Sequence, residues 1–179
     1  MESFIRITNR ITNGRRVAVF GYGSVGRGVA AYFRGYNSLV SVVEPQEVLR
    51  LRALLDGFDV PDREAALAAA DIVVTVTGAP RVITPADLAI VRDGVVLISA
   101  GHLPWELDEP ALLADPSVAS VDEVTDGITT LVLRDGRRVH VLTHGHMVNL
   151  AGPRPLGNSI ESMDLGFTLQ ARCLEAVAR

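Results

Sequence analysis

"RVAVFGYGSVGRGVAAYF", residues 16–33, decides the fold. The valine-rich run 16–20 reads as a β-strand, "GYGSVG" as a turn, and the residues to about Arg34 as an amphipathic helix. Gly21, Gly23 and Gly26 keep G-x-G-x-x-G spacing. At such a turn Gly21 permits the tight bend, Gly23 lets the main chain approach a pyrophosphate, and Gly26 lets helix and strand touch. Ser24 and Val25 fall in the first helical turn, whose free N–H groups favour an anion. Glu44 ends the next apolar run, where an acid accepts hydrogen bonds from a ribose and repels a 2′-phosphate. Strand, glycine turn, helix and acid together point to a dinucleotide site, with NAD preferred over NADP.

The same reading extends along the chain. Residues 1–14 carry Phe4, Ile5, Ile7 and Ile11 at near-helical spacing and predict a leading helix that stops at Asn13-Gly14. "SLVSVVE" (38–44) is a second strand, and Pro45 opens a helix through "QEVLRLRALLDG". "FDV" (58–60) predicts a brief strand and "DREAALAAA" a short helix. "DIVVTVTG" (71–78) and "GVVLISAG" (94–101) are continuous apolar runs of strands covered on both faces. Between them "TPADLAIV" carries a threonine cap and an early proline, and predicts a helix. "PSVASVDEV" predicts another strand. "TTLVLRDGRRVHVLT" alternates about Asp-Gly and predicts a β-hairpin. After "GPRPLGN" a final helix spans 159–179. The expected architecture is one α/β domain over 1–179: a single Rossmann-type, doubly wound, mainly parallel sheet with an added β-hairpin and a C-terminal helix.

Composition narrows the function. The 179 residues are 48% hydrophobic, with net charge −4 and mean hydropathy +0.27. No apolar run approaches the roughly 20 residues of a membrane span, and "MESFIRITNRITNGRR" lacks the apolar stretch of a signal peptide. Cys173 is the single cysteine, so no intrachain disulfide forms and a cytoplasmic location is expected. All 17 basic residues are arginine, which excludes a lysine nucleophile or base from this chain. Arg15-Arg16 and Arg137-Arg138 are isolated pairs, giving no basic stripe for nucleic acid.

"GYGSVGRGVAAYFRG", "DIVVTVTG", "ISAGHLPWELD", "LRDGRRVHVLTHGHMVNLAG" and "GNSIESMDLGFTLQA" resemble, in order and spacing, the NAD-binding domain of the S-adenosylhomocysteine hydrolase family. The glycine turn alone is unspecific; the "GH", "DGRR" and "VNL" segments together are not. The resemblance implies a tightly held NAD that oxidises a ribose 3′-hydroxyl and is regenerated after elimination or addition of a thiol. It also implies that Gly21, Gly23, Gly26 and Glu44 contact pyrophosphate and ribose. Thr75, Thr77 and Gly78 would run along the cofactor, Ala100, Gly101 and His102 would lie beside the nicotinamide, and Asn149 near its carboxamide.

Departures from the family pattern restrict what carries over. The family's substrate groups, a lysine among them, lie mainly in a preceding domain without counterpart here. Its histidine in a "GHPSF"-like loop falls at Asn158, and its C-terminal lysine and tyrosine lie beyond Arg179. The expectation is a cofactor half working with a substrate-domain partner chain or a second copy.

Among single residues, His102 follows a strand's carboxyl end and is the candidate acid/base group. His140, His144 and His146 lack a cysteine or carboxylate completing a metal set, so no metal is expected; packing or a substrate contact are the alternatives. Asp122, Glu123 and Asp126, and Glu106, Asp108 and Glu109, read as solvated loops or helix caps rather than acid/base groups. Trp105 suits stacking or an interface, and Cys173 reads as a packing residue. The functional expectation is an NAD-dependent redox component that works on a hydroxyl of a nucleoside-like or other small molecule. Two alternatives stay open: a non-catalytic NAD-binding module, and a free-standing dehydrogenase.

Overall fold

The computed structural model describes residues 1–153 and 155–178. Seven strands form one sheet in the order β2-β1-β3-β4-β7-β6-β5: β1 (Arg16–Phe20), β2 (Leu39–Val43), β3 (Ile72–Thr75), β4 (Val95–Ser99), β5 (Val118–Thr125), β6 (Ile128–Leu133) and β7 (Arg138–Leu142). β1, β2, β3, β4 and β7 are mutually parallel, whereas β5 and β6 pair antiparallel with each other and β6 pairs antiparallel with β7. The apolar runs read as two-face-buried strands are that: every residue of β3 and β4 is buried.

Strand alternation feeds two cores. Val17, Val19, Val74 and Ile98 meet Phe4 of α1 (Glu2–Thr8) and Ala30 and Phe33 of α2 (Ser24–Gly35). Ala53 of α3 (Glu47–Leu55) joins the same side. Ala18, Phe20, Val73 and Leu97 face Leu67 of α4 (Arg63–Ala69) and Leu112 of α5 (Glu109–Leu113). The result is a three-layer doubly wound fold. No described helix is long and apolar enough to cross a membrane.

Several expectations are corrected. α1 ends at Thr8, where Asn9 turns left-handed (φ 50°), and Ile11 is exposed instead of continuing the helix. "FDV" makes one parallel bridge, Asp59 to Ser41, in place of a strand. "TPADLAIV" forms only a 3-10 turn, Pro85–Ala89, opened by the reciprocal Thr84–Asp87 capping box that its threonine cap implied. The expected hairpin does form, turning at Gly136 (φ 91°) as its Asp-Gly signal requires, and it joins the parallel sheet directly. β7 pairs with β4, and β5 extends the antiparallel part to three strands. α6 (Ile160–Ala178) buries none of its residues, and Cys173 on it is exposed rather than a packing residue.

Candidate functional site

After β1 the chain crosses to β2 on one side and returns to β3 on the other, so the carboxyl ends of β1 and β3 form the switch point where open α/β sheets bind ligands. A cavity of about 730 Å³ opens there, lined by Gly21, Gly23, Glu44, Gln46, Thr77 and Arg81 among others. Its size lies in the range of small-molecule sites, roughly 300–1,000 Å³.

The glycines hold the positions the spacing implied. Gly21 has φ 104°, and a Cβ there would lie 2.7 Å from the Val76 carbonyl oxygen. A Cβ on Gly26 would lie 2.1 Å from the Gly21 oxygen. Gly23 differs: nothing lies within 4 Å of its absent Cβ. It caps α2 without any side-chain hydrogen bond, leaving the first-turn N–H groups, including those of Ser24 and Val25, unmet by a cap. An open backbone approach beside uncapped helix N–H groups fits the pyrophosphate of NAD.

Glu44 is buried, 8% exposed, at the end of β2. Its Oε2 accepts the Tyr22 N–H at 2.8 Å and its Oε1 the Gln46 N–H at 2.9 Å. The acid at the end of β2 therefore clamps the glycine turn. Sequence reasoning passed over Tyr22, treating it as a spacer between glycines. It is buried, and its hydroxyl donates to Asp56 Oδ2 at 2.8 Å. Burial, helped by that bond, raises its pKa to about 12.

The other implied contacts fall into two groups. Thr77 lines the cavity and Gly78 follows it with φ 71°. Thr75 is fully buried in β3, in register with Ser99 of β4; both hydroxyls lack a protein partner. Ala100 continues the sheet by donating its N–H to the Thr75 carbonyl at 2.8 Å. Met147 bridges Ser99, which sets Asn149 on the same sheet end as Ala100, Gly101 and His102. His102 is exposed and Asn149 half-buried, and neither lines the 730 Å³ cavity. Gly21, Gly23, Glu44 and Thr77 thus share a cavity, whereas His102 lies exposed outside it.

Of the downstream acids, Asp108 caps α5 as expected, accepting the Ala111 N–H at 3.3 Å, whereas Glu106 and Glu109 are not solvated. Glu106 is fully buried and Glu109 is 8% exposed. Glu106 accepts hydrogen bonds from Thr77 and Gly78, and Glu109 Oε1 lies 3.2 Å from His144 Nδ1. Asp122, Glu123 and Asp126 are exposed, as expected. Thr143, His144 and Gly145 are successively left-handed (φ 51°, 52° and 70°), sharply turning the chain after β7. His140 instead packs in the sheet, 2.8 Å from Thr130 Oγ1, and burial lowers its pKa with help from Arg10 and Arg138. Trp105 is half-exposed.

The profile of the S-adenosyl-L-homocysteine hydrolase NAD binding domain matches residues 1–154. The adenosylhomocysteinase of Thermococcus kodakarensis is 38% identical over 176 residues, covering 98% of this chain and 41% of that protein. The S-inosyl-L-homocysteine hydrolase of Methanopyrus kandleri is 36% identical over 179 residues, 100% of this chain and 42% of that one. The chain thus spans about two fifths of the length of these relatives. In fold alone it resembles one of the dipicolinate synthase polypeptides, that of Bacillus halodurans (TM-score 0.55, 24% identity, 60% of this chain and 38% of that one). It likewise resembles a glyoxylate reductase of Paecilomyes thermophila (TM-score 0.52, 22% identity, 63% and 37%). The cofactor of this Rossmann domain is NAD, and the chain belongs to the family of S-adenosyl-L-homocysteine hydrolase NAD-binding domains.

Proposed function

We propose that this protein is the redox half of a hydrolase of the adenosylhomocysteinase type, acting on a hydroxyl of a nucleoside-like small molecule. The substrate-holding groups come from a partner chain or a second copy. The observation carrying this reading is the contrast between a built cofactor cradle at Gly21–Gly26 and an open sheet end at His102 and Asn149. NAD, when bound, supplies a hydride acceptor and donor. The uncapped start of α2 receives the pyrophosphate, Glu44 accepts from the ribose, and the wall at Thr77–Val82 flanks it. The Ala100–His102 segment borders the nicotinamide, and the exposed His102 imidazole exchanges a proton with the substrate hydroxyl. Asn149 orients the carboxamide.

The relatives named above act on S-adenosyl- or S-inosyl-homocysteine, which makes these the first substrates to try. Protein released from its nucleotide and titrated with NAD should bind it. Mixed with a candidate partner and either thioether, it should form homocysteine without net NADH. Failure to bind NAD sinks the reading. Steady NADH release would make it a free-standing dehydrogenase instead. A non-catalytic NAD-binding module is the second reading, favoured by the absence of any lysine in the chain. Turnover that disappears in His102→Ala excludes it.

A further inference from the structure

Glu106 lies outside both the glycine turn and the strands, yet it is fully buried. Its Oε2 accepts the Thr77 N–H at 2.9 Å and the Thr77 hydroxyl at 3.0 Å, and its Oε1 accepts the Gly78 N–H at 2.9 Å. Its main-chain carbonyl accepts the N–H groups of Val82 and Ile83 at 2.9 and 3.1 Å. The Trp105 carbonyl takes the Arg81 N–H at 2.7 Å. Loop 77–83 is thereby hung at both ends on residues 105 and 106. That loop is one wall of the cavity, through Thr77, Ala79, Pro80, Arg81 and Val82.

Gly101, immediately before His102, is shaped to the same carboxyl group: a Cβ there would sit 1.7 Å from Glu106 Oε1. The Thr77 and Gly78 N–H groups, at the end of β3 where a phosphate or water would otherwise meet them, are occupied from inside the protein. We propose that Glu106 is the positioning residue of the cofactor site, fixing the 77–82 wall and coupling it to the 101–105 loop that carries His102. This rests on the reading of the cavity as the NAD site. The wall then meets the cofactor pre-ordered, with its donors already satisfied, and binding need not order it. Displacement of His102 or Trp105 moves the wall through Glu106.

Two measurements test this. The first is amide hydrogen exchange without nucleotide in wild type, Glu106→Gln and Gly101→Ala. Gln places an amide donor against N–H donors, and Ala pushes an intact carboxyl group aside. In both variants exchange at 77–83 should rise about tenfold or more while β1 and β2 keep wild-type protection. The second is calorimetric titration with NAD, where the dissociation constant should rise roughly tenfold in both. Should Glu106→Gln fail to fold, Thr77→Val removes one of the three side-chain bonds, with a loss of about threefold expected. Lower thermal stability with unchanged NAD affinity would show Glu106 to be merely structural and overturn the proposal. So would unchanged exchange at 77–83. If wild-type protein binds no NAD, the proposed function falls, while exchange still decides whether Glu106 holds the loop.

Discussion

The third glycine of the turn touches the first: a Cβ on Gly26 would lie 2.1 Å from the Gly21 carbonyl oxygen and 3.2 Å from Val76 Cγ1. The 2.1 Å contact is with main chain between the end of β1 and the start of α2, so no flexible side chain can give way. Gly26→Ala should therefore cost about 1–3 kcal/mol or more by overpacking. Gly28, two residues on in the same helix, has nothing within 4 Å of its absent Cβ. Gly28→Ala should be neutral or stabilising by up to about 1 kcal/mol, from helix propensity alone. Urea unfolding of the two variants checks the contrast, and equal effects would refute it.

Glu44 serves two ends, and its removal should be felt at both. Glu44→Ala leaves the buried Tyr22 N–H without its acceptor and takes away the group we propose meets the ribose. NAD affinity should fall about tenfold or more, and the preference for NAD over NADP should narrow because a like charge no longer opposes the 2′-phosphate. Parallel titrations with the two nucleotides measure both effects. An unchanged ratio would show that Glu44 does not set the preference.

These two positions were legible from local sequence, because strand, turn and helix each carry their own pattern and Glu44 lies one strand away. β3 and β4 were legible for the same reason, as unbroken apolar runs. What was missed depends on distance. Glu106 is read as solvated because its acceptor role appears only when Thr77 and Gly78, 28–29 residues earlier, are folded against it. Alternation in β7 announces a half-buried hairpin strand, but nothing local says that its free edge pairs with β4. The overrun of α1 has a simpler cause: Ile11 continues the apolar spacing, while Asn9 had already taken the left-handed turn that ends the helix.

Asp87 ties the second core to the cavity wall. Arg63 donates to both its oxygens, at 2.6 and 2.8 Å, and also to the Val82 carbonyl. Burial favours the protonated acid, but the bonds from Arg63 and Thr84 outweigh it and hold the Asp87 pKa below 3.8. A depressed folded-state value means stability that is present above the ordinary aspartate range and lost as pH falls through the folded one. Asp87→Asn should cost about 1–3 kcal/mol at neutral pH, a buried-pair loss discounted because Arg63 is substantially exposed. The gap from wild type should shrink in acid, where wild-type Asp87 is itself protonated. Denaturant titrations at neutral and acid pH test the sign, and a constant gap contradicts it.

His140 loses stability in the same direction of pH, but as a base that the fold keeps neutral. Its pKa is lowered chiefly by burial, then by the cations Arg10 and Arg138, against a smaller opposing pull from Asp93. The stability this reflects is present above the ordinary histidine value of 6.5 and is lost as pH falls below it. Wild type should lose melting temperature across that range. His140→Asn, which has no proton to take up, should lose less. Melting curves on either side of 6.5 decide it, and identical slopes would remove His140 from the account.

α6 is the longest of the described helices and contributes nothing buried. Ile160, Phe167 and Leu174, seven residues apart, are 85%, 59% and 71% exposed. A 19-residue helix without a buried residue is marginal in water, since most helical stability comes from packing one face. Amides within α6 should exchange orders of magnitude faster than those of β3 and β4. A chain ending at Asn158 should unfold within about 0.5 kcal/mol of the full chain, because no core contact is removed. Protection of α6 as strong as that of the sheet would mean that another surface covers the Ile160–Phe167–Leu174 stripe in solution. Light scattering on the same samples then identifies a second copy as that surface, if the mass doubles with the helix and returns to one chain without it.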